Sequence, residues 1–353
     1  MYGRRVGRPA PSDGPDQIRW RLAGDDAGRP ALLEDVERHT GRGELAGLEL
    51  LHVRARTIIN RVPEASSMPF RWTINAYRGC SHGCVYCFAR PTHEYLGFDI
   101  GEDFDRRIVV KVNAVECLRA ELRSRRWAGE PIAMGTNTDP YQPVEGRYEL
   151  TRGVIETLSE ARNPFSILTK STLIGRDIDL LAEAARRTGV HTGLSIGTLD
   201  EDVWRLTEPH TPNPRRRVET LARLREAGIP CGVFIAPIIP GLSDSDDQLE
   251  EVVGAVVAAG ATWISPVMLY LRAGVRDHYL DWLRAHRPEL AAGAERRYRR
   301  VYGPAEERAE LTRRVRAIIA AHGGPLPGER PPFGRRPART VVAAPDDTQL
   351  RLV

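Results

Sequence analysis

From Trp72 to Met268 the chain alternates short β-branched runs with longer stretches of helical period, and this alternation limits the fold more than any other feature. Trp72–Asn75, Ile108–Val112, Pro131–Met134, Phe165–Thr169, His191–Ile196, Cys231–Ile235 and Thr262–Met268 read as strands. Helical stretches are expected at 113–127, 151–161, 177–187, 215–227 and 245–259, the last two stopped by Gly228 and Gly260. Strand starts recur at roughly 23–40 residues, the scale of a βα unit. Six or so such units require a mostly parallel sheet with helical crossovers. No Gly-x-Gly-x-x-Gly turn follows a strand, which counts against a dinucleotide-binding domain. A curved, partial (β/α) barrel is the expectation, with its chemistry on loops at the C-terminal strand ends.

Outside this region the composition changes. Residues 1–45 are rich in Arg, Gly, Asp and Pro without sustained period and read as a flexible leader. The barrel is expected over 46–275, a helical, Arg-rich C-terminal extension over 276–322, and a disordered tail over 323–353. No run approaches the roughly 18 apolar residues of a membrane span. The N-terminus has no apolar core of a secretory signal, so a cytoplasmic protein without membrane association is expected. The net charge of +4 is small beside 51 basic and 47 acidic residues, and it neither demands nor excludes nucleic acid. Lys111 and Lys170 are the only lysines.

Three of the five cysteines sit in one loop, Gly79-Cys80-Ser81-His82-Gly83-Cys84-Val85-Tyr86-Cys87. Thiolates at this density are soft ligands for an iron–sulfur cluster or zinc, and a poor disulfide framework. Three ligands cannot complete a four-iron cube, so one iron stays open to a small molecule or takes a remote ligand. Zinc is the rival, with His82 or His93 as fourth ligand, but no second C-x2-C or H-x3-H half is present. Cys117 and Cys231 stand apart and read as small apolar residues. A zinc or iron–sulfur loop of purely structural role would go with a nucleic-acid-binding protein whose Arg-rich helices contact phosphate.

The C-x3-C-x2-C spacing, with Tyr86 before the last cysteine, resembles the signature of the radical S-adenosylmethionine (SAM) superfamily. The wider chain resembles the branch that includes spore photoproduct lyase. That likeness is carried by Met68 to Gly79, Thr138 to Glu145, Thr169-Lys170-Ser171, Ser195 to Asp200, Glu208-Pro209 and Pro237 to Asp244. The resemblance implies a partial (β/α)6 radical SAM barrel with a [4Fe–4S] cluster on Cys80, Cys84 and Cys87. It implies reductive cleavage of SAM to a 5′-deoxyadenosyl radical that abstracts hydrogen from a substrate. It would place Tyr86 near the adenine and Thr136, Asn137 and Thr138 at the methionine amino end. Ser195 would meet the ribose, Arg217 the carboxylate, and Pro237 would belong to an apolar wall. An electron donor such as flavodoxin or ferredoxin is implied, and a nucleic acid or peptide as substrate. Asp139-Pro140 is open between a plain turn former and a site residue, and Lys170 between a plain strand-end residue and a substrate or cofactor role. Spore photoproduct lyase carries a hydrogen-donating cysteine after the second barrel strand. Here Gly135-Thr136-Asn137-Thr138-Asp139-Pro140 has none, so the lesion-repair reaction itself is not carried over.

Overall fold

The computed structural model describes residues 36–63, 66 and 68–325. Strands β1 (Glu37–Thr40), β2 (Glu49–Val53), β3 (Ile59–Arg61), β4 (Trp72–Ile74), β5 (Tyr77–Arg78) and β6 (Arg107–Lys111) come first. They are followed by β7 (Ile132–Met134), β8 (Phe165–Thr169), β9 (Val190–Ser195), β10 (Cys231–Ile238) and β11 (Ile264–Met268). The main sheet has the order β11-β10-β9-β8-β7-β4-β3. Its six strands from β4 to β11 pair in parallel, and β3 closes one edge antiparallel to β4. This is the expected partial (β/α)6 barrel.

The helices are α1 (Glu102–Arg106), α2 (Ala114–Arg123), α3 (Glu145–Tyr148), α4 (Leu150–Glu160), α5 (Ile178–Arg187) and α6 (Glu201–Thr207). After them come α7 (Pro214–Glu226), α8 (Asp246–Ala258), α9 (Val275–His286), α10 (Pro288–Arg297) and α11 (Ala305–Ala321). Their formation follows local chemistry. In α8, Ser245 and Gln248 form a capping box, and Leu249, Val252, Val253 and Val256 recur at helical spacing on the buried face. Asn213 caps α7 and Pro214 occupies its first turn, where a missing N–H costs nothing. All three residues of β7 are buried, as expected for a parallel strand covered on both faces.

Two boundaries differ from the sequence reading. Ile108–Val112 does not enter the main sheet: β6 lies in a second sheet of order β1-β2-β6-β5. Ile108 and Val110 face the main core while Val109 packs with Leu51, Val53 and Leu96, so the run is apolar on both faces and reads like a barrel strand. Residues 37–45, assigned to the leader, instead form β1, paired with β2, and a short 3-10 turn. Residues 1–35 of the expected leader and 326–353 of the expected tail lie outside the described residues. The C-terminal extension packs against the barrel. Leu311, Val315 and Ile319 of α11 join the main core, while Val275, Tyr279, Leu280, Leu283 and Tyr298 pack with Cys84, Val85 and Tyr86. Among the described residues no helix is long and apolar enough to cross a membrane.

Candidate functional site

The cysteine loop leaves β5 through Gly79, whose φ is +77° and whose added Cβ would lie 2.9 Å from the carbonyls of Phe104 and Arg107. Only glycine fits there without displacing backbone. Cys80 then donates its N–H to Phe104 (3.0 Å). Cys80 and Cys84 are buried and Cys87 is half-buried. Two side-chain systems hold the loop. The Arg90 guanidinium, itself buried, donates to the Cys84 carbonyl (3.0 and 3.2 Å), to the carbonyls of Ile100 and Gly101, and to Asp105. On the other side Thr138 donates to the Gly79 carbonyl (2.6 Å), and Gln142 donates to the same carbonyl (3.0 Å) while accepting from the Ser81 N–H (3.0 Å). The loop following β7 therefore fixes the cysteine loop.

Burial pushes all three thiols upward in pKa, and nearby acidic groups and neighbouring thiols add to the effect at Cys80 and Cys84. Such thiols become thiolates most readily when a metal compensates their charge. His82 lies between the cysteines, 3.4 Å from Asp139 through Nδ1, and its Nε2 is buried without a partner. Among the described residues Glu37, His39 and His52, on β1 and β2, bring one ligand atom each within 4.8 Å of one another. Three soft sulfur donors on one loop, two of them buried, suit an iron–sulfur centre.

Around the C-terminal ends of β8, β9 and β10 lies a buried polar network centred on Glu208. Its carboxylate accepts from Tyr86, from Lys170 (2.8 Å) and from Arg217 (2.6 Å). Lys170 also donates to Ser195 Oγ (2.9 Å) and to the Ala236 carbonyl (3.2 Å), to which Ser195 donates in turn (2.8 Å). Burial alone would raise the pKa of Glu208, but the charges of Arg217 and Lys170 outweigh it and hold the carboxyl far below its usual range. Asp139 similarly overcomes burial through His82 and through bonds from the Lys170 N–H (2.7 Å) and Thr169 (2.6 Å). It ties the ends of β7 and β8 to the cysteine loop.

The structure brings Tyr86, Ser195 and Arg217 into this one network. The Arg217 guanidinium is buried and bonded to Glu208, to the carbonyls of Ser195 (3.0 Å) and Pro212 (2.9 Å), and to Thr211. Thr138 is turned to Gly79. Thr136 is half-buried and accepts a long bond from Asn75 (3.5 Å); half-buried Asn137 has no side-chain partner among the described residues. Pro237 lies on β10 next to Ala236, and an added Cβ on Gly197 would come within 2.7 Å of its carbonyl. The sequence assigned no role to Arg90, Gln142 or Glu208 and left Asp139 open between a turn former and a site residue. The signals were position: Arg90 three residues after Cys87, Asp139 and Gln142 in the matching stretch Thr138 to Glu145, and Glu208 in a matching Glu-Pro pair.

Residues 74–253 match the Radical SAM superfamily. The uncharacterized protein Rv2578c of Mycobacterium tuberculosis is 41% identical over 331 residues, covering 93% of this chain and 94% of that protein. The radical SAM Nalpha-GlyT isomerase of Pseudomonas phage M6 is 27% identical over 54% of this chain and 40% of its own length. Among solved structures, spore photoproduct lyase complexed with dinucleoside spore photoproduct shares the fold with a TM-score of 0.56 at 19% identity, covering 77% of this chain and 79% of that one. The chain belongs to the radical SAM superfamily and is a radical SAM enzyme.

Proposed function

We propose that Cys80, Cys84 and Cys87 hold a [4Fe–4S] cluster whose remaining iron takes SAM. When bound, the pair supplies reductive cleavage of the sulfonium C–S bond, giving methionine and a 5′-deoxyadenosyl radical that abstracts hydrogen from the substrate. The observation that carries this reading is the C-x3-C-x2-C thiol triplet, held on one loop at the mouth of a six-stranded parallel barrel.

The chain's own residues position and shield. Arg90, Thr138 and Gln142 hold the loop backbone in one conformation. Thr136 and Asn137, the least committed polar side chains after β7, serve the methionine amino end of SAM. Tyr86, held by Glu208, and Pro237 flank the adenine, and Ser195 remains near enough to the mouth for a ribose hydroxyl. Arg217 acts one step back, keeping Glu208 ionised so that Tyr86 and Lys170 keep their orientation. A flavodoxin or ferredoxin supplies the electron, and the substrate is a nucleic acid or a peptide.

The test is anaerobic reconstitution with iron and sulfide, followed by SAM and a strong reductant. A brown protein with iron–sulfur charge-transfer absorbance that releases 5′-deoxyadenosine is expected. Each of Cys80→Ala, Cys84→Ala and Cys87→Ala should lose most iron and all cleavage, whereas Cys117→Ala and Cys231→Ala should lose neither. A colourless protein carrying stoichiometric zinc, with no nucleoside released, would overturn the assignment.

A further inference from the structure

Phe88, Tyr270 and Tyr302 form a row of three rings leading away from the cysteine loop. Phe88 directly follows Cys87, and Tyr270 follows the C-terminal end of β11. Tyr302 lies between α10 and α11 and joins Tyr270 through an isolated antiparallel bridge. Successive centroids are 6.1 and 5.5 Å apart, with the planes tilted by 31° and 38°. The inner end is close to the cluster loop: the Cys87 thiol lies within electrostatic reach of the Tyr270 phenol. The outer end is open. Tyr302 is 54% exposed, more than any other large hydrophobic side chain among the described residues.

Cations flank the row. The guanidinium of Arg272 sits 5.6 Å from the Phe88 ring centre and that of Arg308 5.4 Å from Tyr302. Arg299 and Arg300 are exposed on the turn just before Tyr302. Among the described residues none of these four arginines meets a carboxylate. Elsewhere on the same extension Arg284, Arg287, Arg297, Arg313 and Arg314 each do. Four guanidinium groups without a carboxylate partner thus lie beside the aromatic row or on the turn that leads into it.

Aromatic rings interleaved with guanidinium groups that meet no carboxylate match one ligand chemistry: unstacked bases joined by phosphates. Bases inside a duplex have their faces covered and cannot lie on such rings. We propose that Phe88, Tyr270 and Tyr302, with Arg272, Arg299, Arg300 and Arg308, form a stacking platform for a single-stranded nucleic acid. The strand is guided along it to the mouth beside the cysteine loop. This identifies the substrate class and rests on the reading of that mouth as the reaction site.

The experiment measures binding of short fluorescent DNA and RNA single strands to the full reconstituted chain, by anisotropy, without reductant and across a salt series. Tyr302→Ala should weaken binding about fivefold or more, while Tyr302→Phe, which keeps the ring, stays within about twofold of wild type. Arg272→Gln and Arg308→Gln should each flatten the log–log salt dependence by about 0.7. A duplex of the same sequence should bind more weakly. The proposal is overturned if Tyr302→Ala binds like wild type, if the duplex binds as well as the single strand, or if neither DNA nor RNA binds at low salt. Release of 5′-deoxyadenosine, assayed without nucleic acid, tests the chemistry separately. A chain that binds strands but releases none refutes the cluster reading and keeps the platform; the reverse result removes the platform alone.

Discussion

Glu208 is the residue on which the mouth of the barrel most depends. It is one buried carboxylate facing two buried or half-buried cations, and its worth lies in leaving neither alone. Glu208→Gln keeps the shape and removes the charge, so Lys170 and Arg217 lose their common counter-ion. The expected cost is about 3–5 kcal/mol in urea unfolding at neutral pH. The pH dependence has a definite sign. The folded carboxyl titrates below its usual 4.5, so the contribution is complete above that value and is lost as pH falls towards the folded pKa. Wild type should therefore lose stability on acidification more steeply than the Gln variant; parallel curves would show that the pair contributes nothing through linkage. Lys111 gives the opposite case. Burial, aided by the charge of Arg78, pushes its pKa from 10.5 down to about 7, while its ammonium donates to the Asn75 carbonyl (2.8 Å). Between those two values the unfolded chain holds the extra proton, so this residue makes stability rise with pH. Lys111→Met should abolish that rise between about pH 7 and 9, seen as wild type gaining stability relative to the variant as pH rises. The scarcity of lysine in the sequence marked both Lys111 and Lys170, but their partners come from other strands and no local pattern announces them.

At the scale of elements, the cysteine loop shows where sequence reading succeeds and where it stops. The C-x3-C-x2-C spacing and the strand before it are local, and both were legible. What holds the loop is remote in sequence: Gln142 reaches the Gly79 carbonyl from the β7 loop, across 63 positions. Arg90 is near in sequence, but its role depends on a chain bend that brings Ile100, Gly101 and Asp105 back to it. Arg90→Lys tests this clamp. Lysine keeps the charge but replaces a planar fork of donors with a single ammonium, so several buried carbonyls lose partners. The expected result is a loss of about 2 kcal/mol or more in stability. Reconstituted protein should also carry less iron per chain, read from its visible spectrum. Retention of wild-type iron and stability would mean that the loop is held mainly from the Thr138 and Gln142 side. The misplacement of β6 has the same origin. A run that is apolar on both faces satisfies the pattern of a barrel strand, and only its partners β2 and β5 reveal the second sheet.

For the whole molecule the question is where the folding unit ends. The parallel barrel was legible because each of its strands and helices repeats the same local period. The integration of the C-terminal extension was not, because α11 is rich in charge and its large aliphatic residues are few. Those few are placed to matter: Leu311, Val315 and Ile319 are buried in the main core. Gly254 allows the close approach of this segment, since an added Cβ would lie 3.0 Å from the His322 ring, and His322 in turn meets Glu250 (2.7 Å). We propose that residues 36–325 form one cooperative unit. At about 1.5–3 kcal/mol for each fully buried aliphatic side chain, losing three would remove roughly 5–9 kcal/mol. That is comparable with the entire stability of an ordinary domain, about 5–15 kcal/mol. A chain ending at residue 304 should therefore fail to unfold cooperatively and expose the apolar face of α8 to aggregation. A chain spanning 36–325 should melt like the full-length protein. Circular dichroism and thermal unfolding separate the two outcomes: a chain ending at 304 that melts sharply at the wild-type temperature would show that α11 is an accessory resting on a barrel already complete.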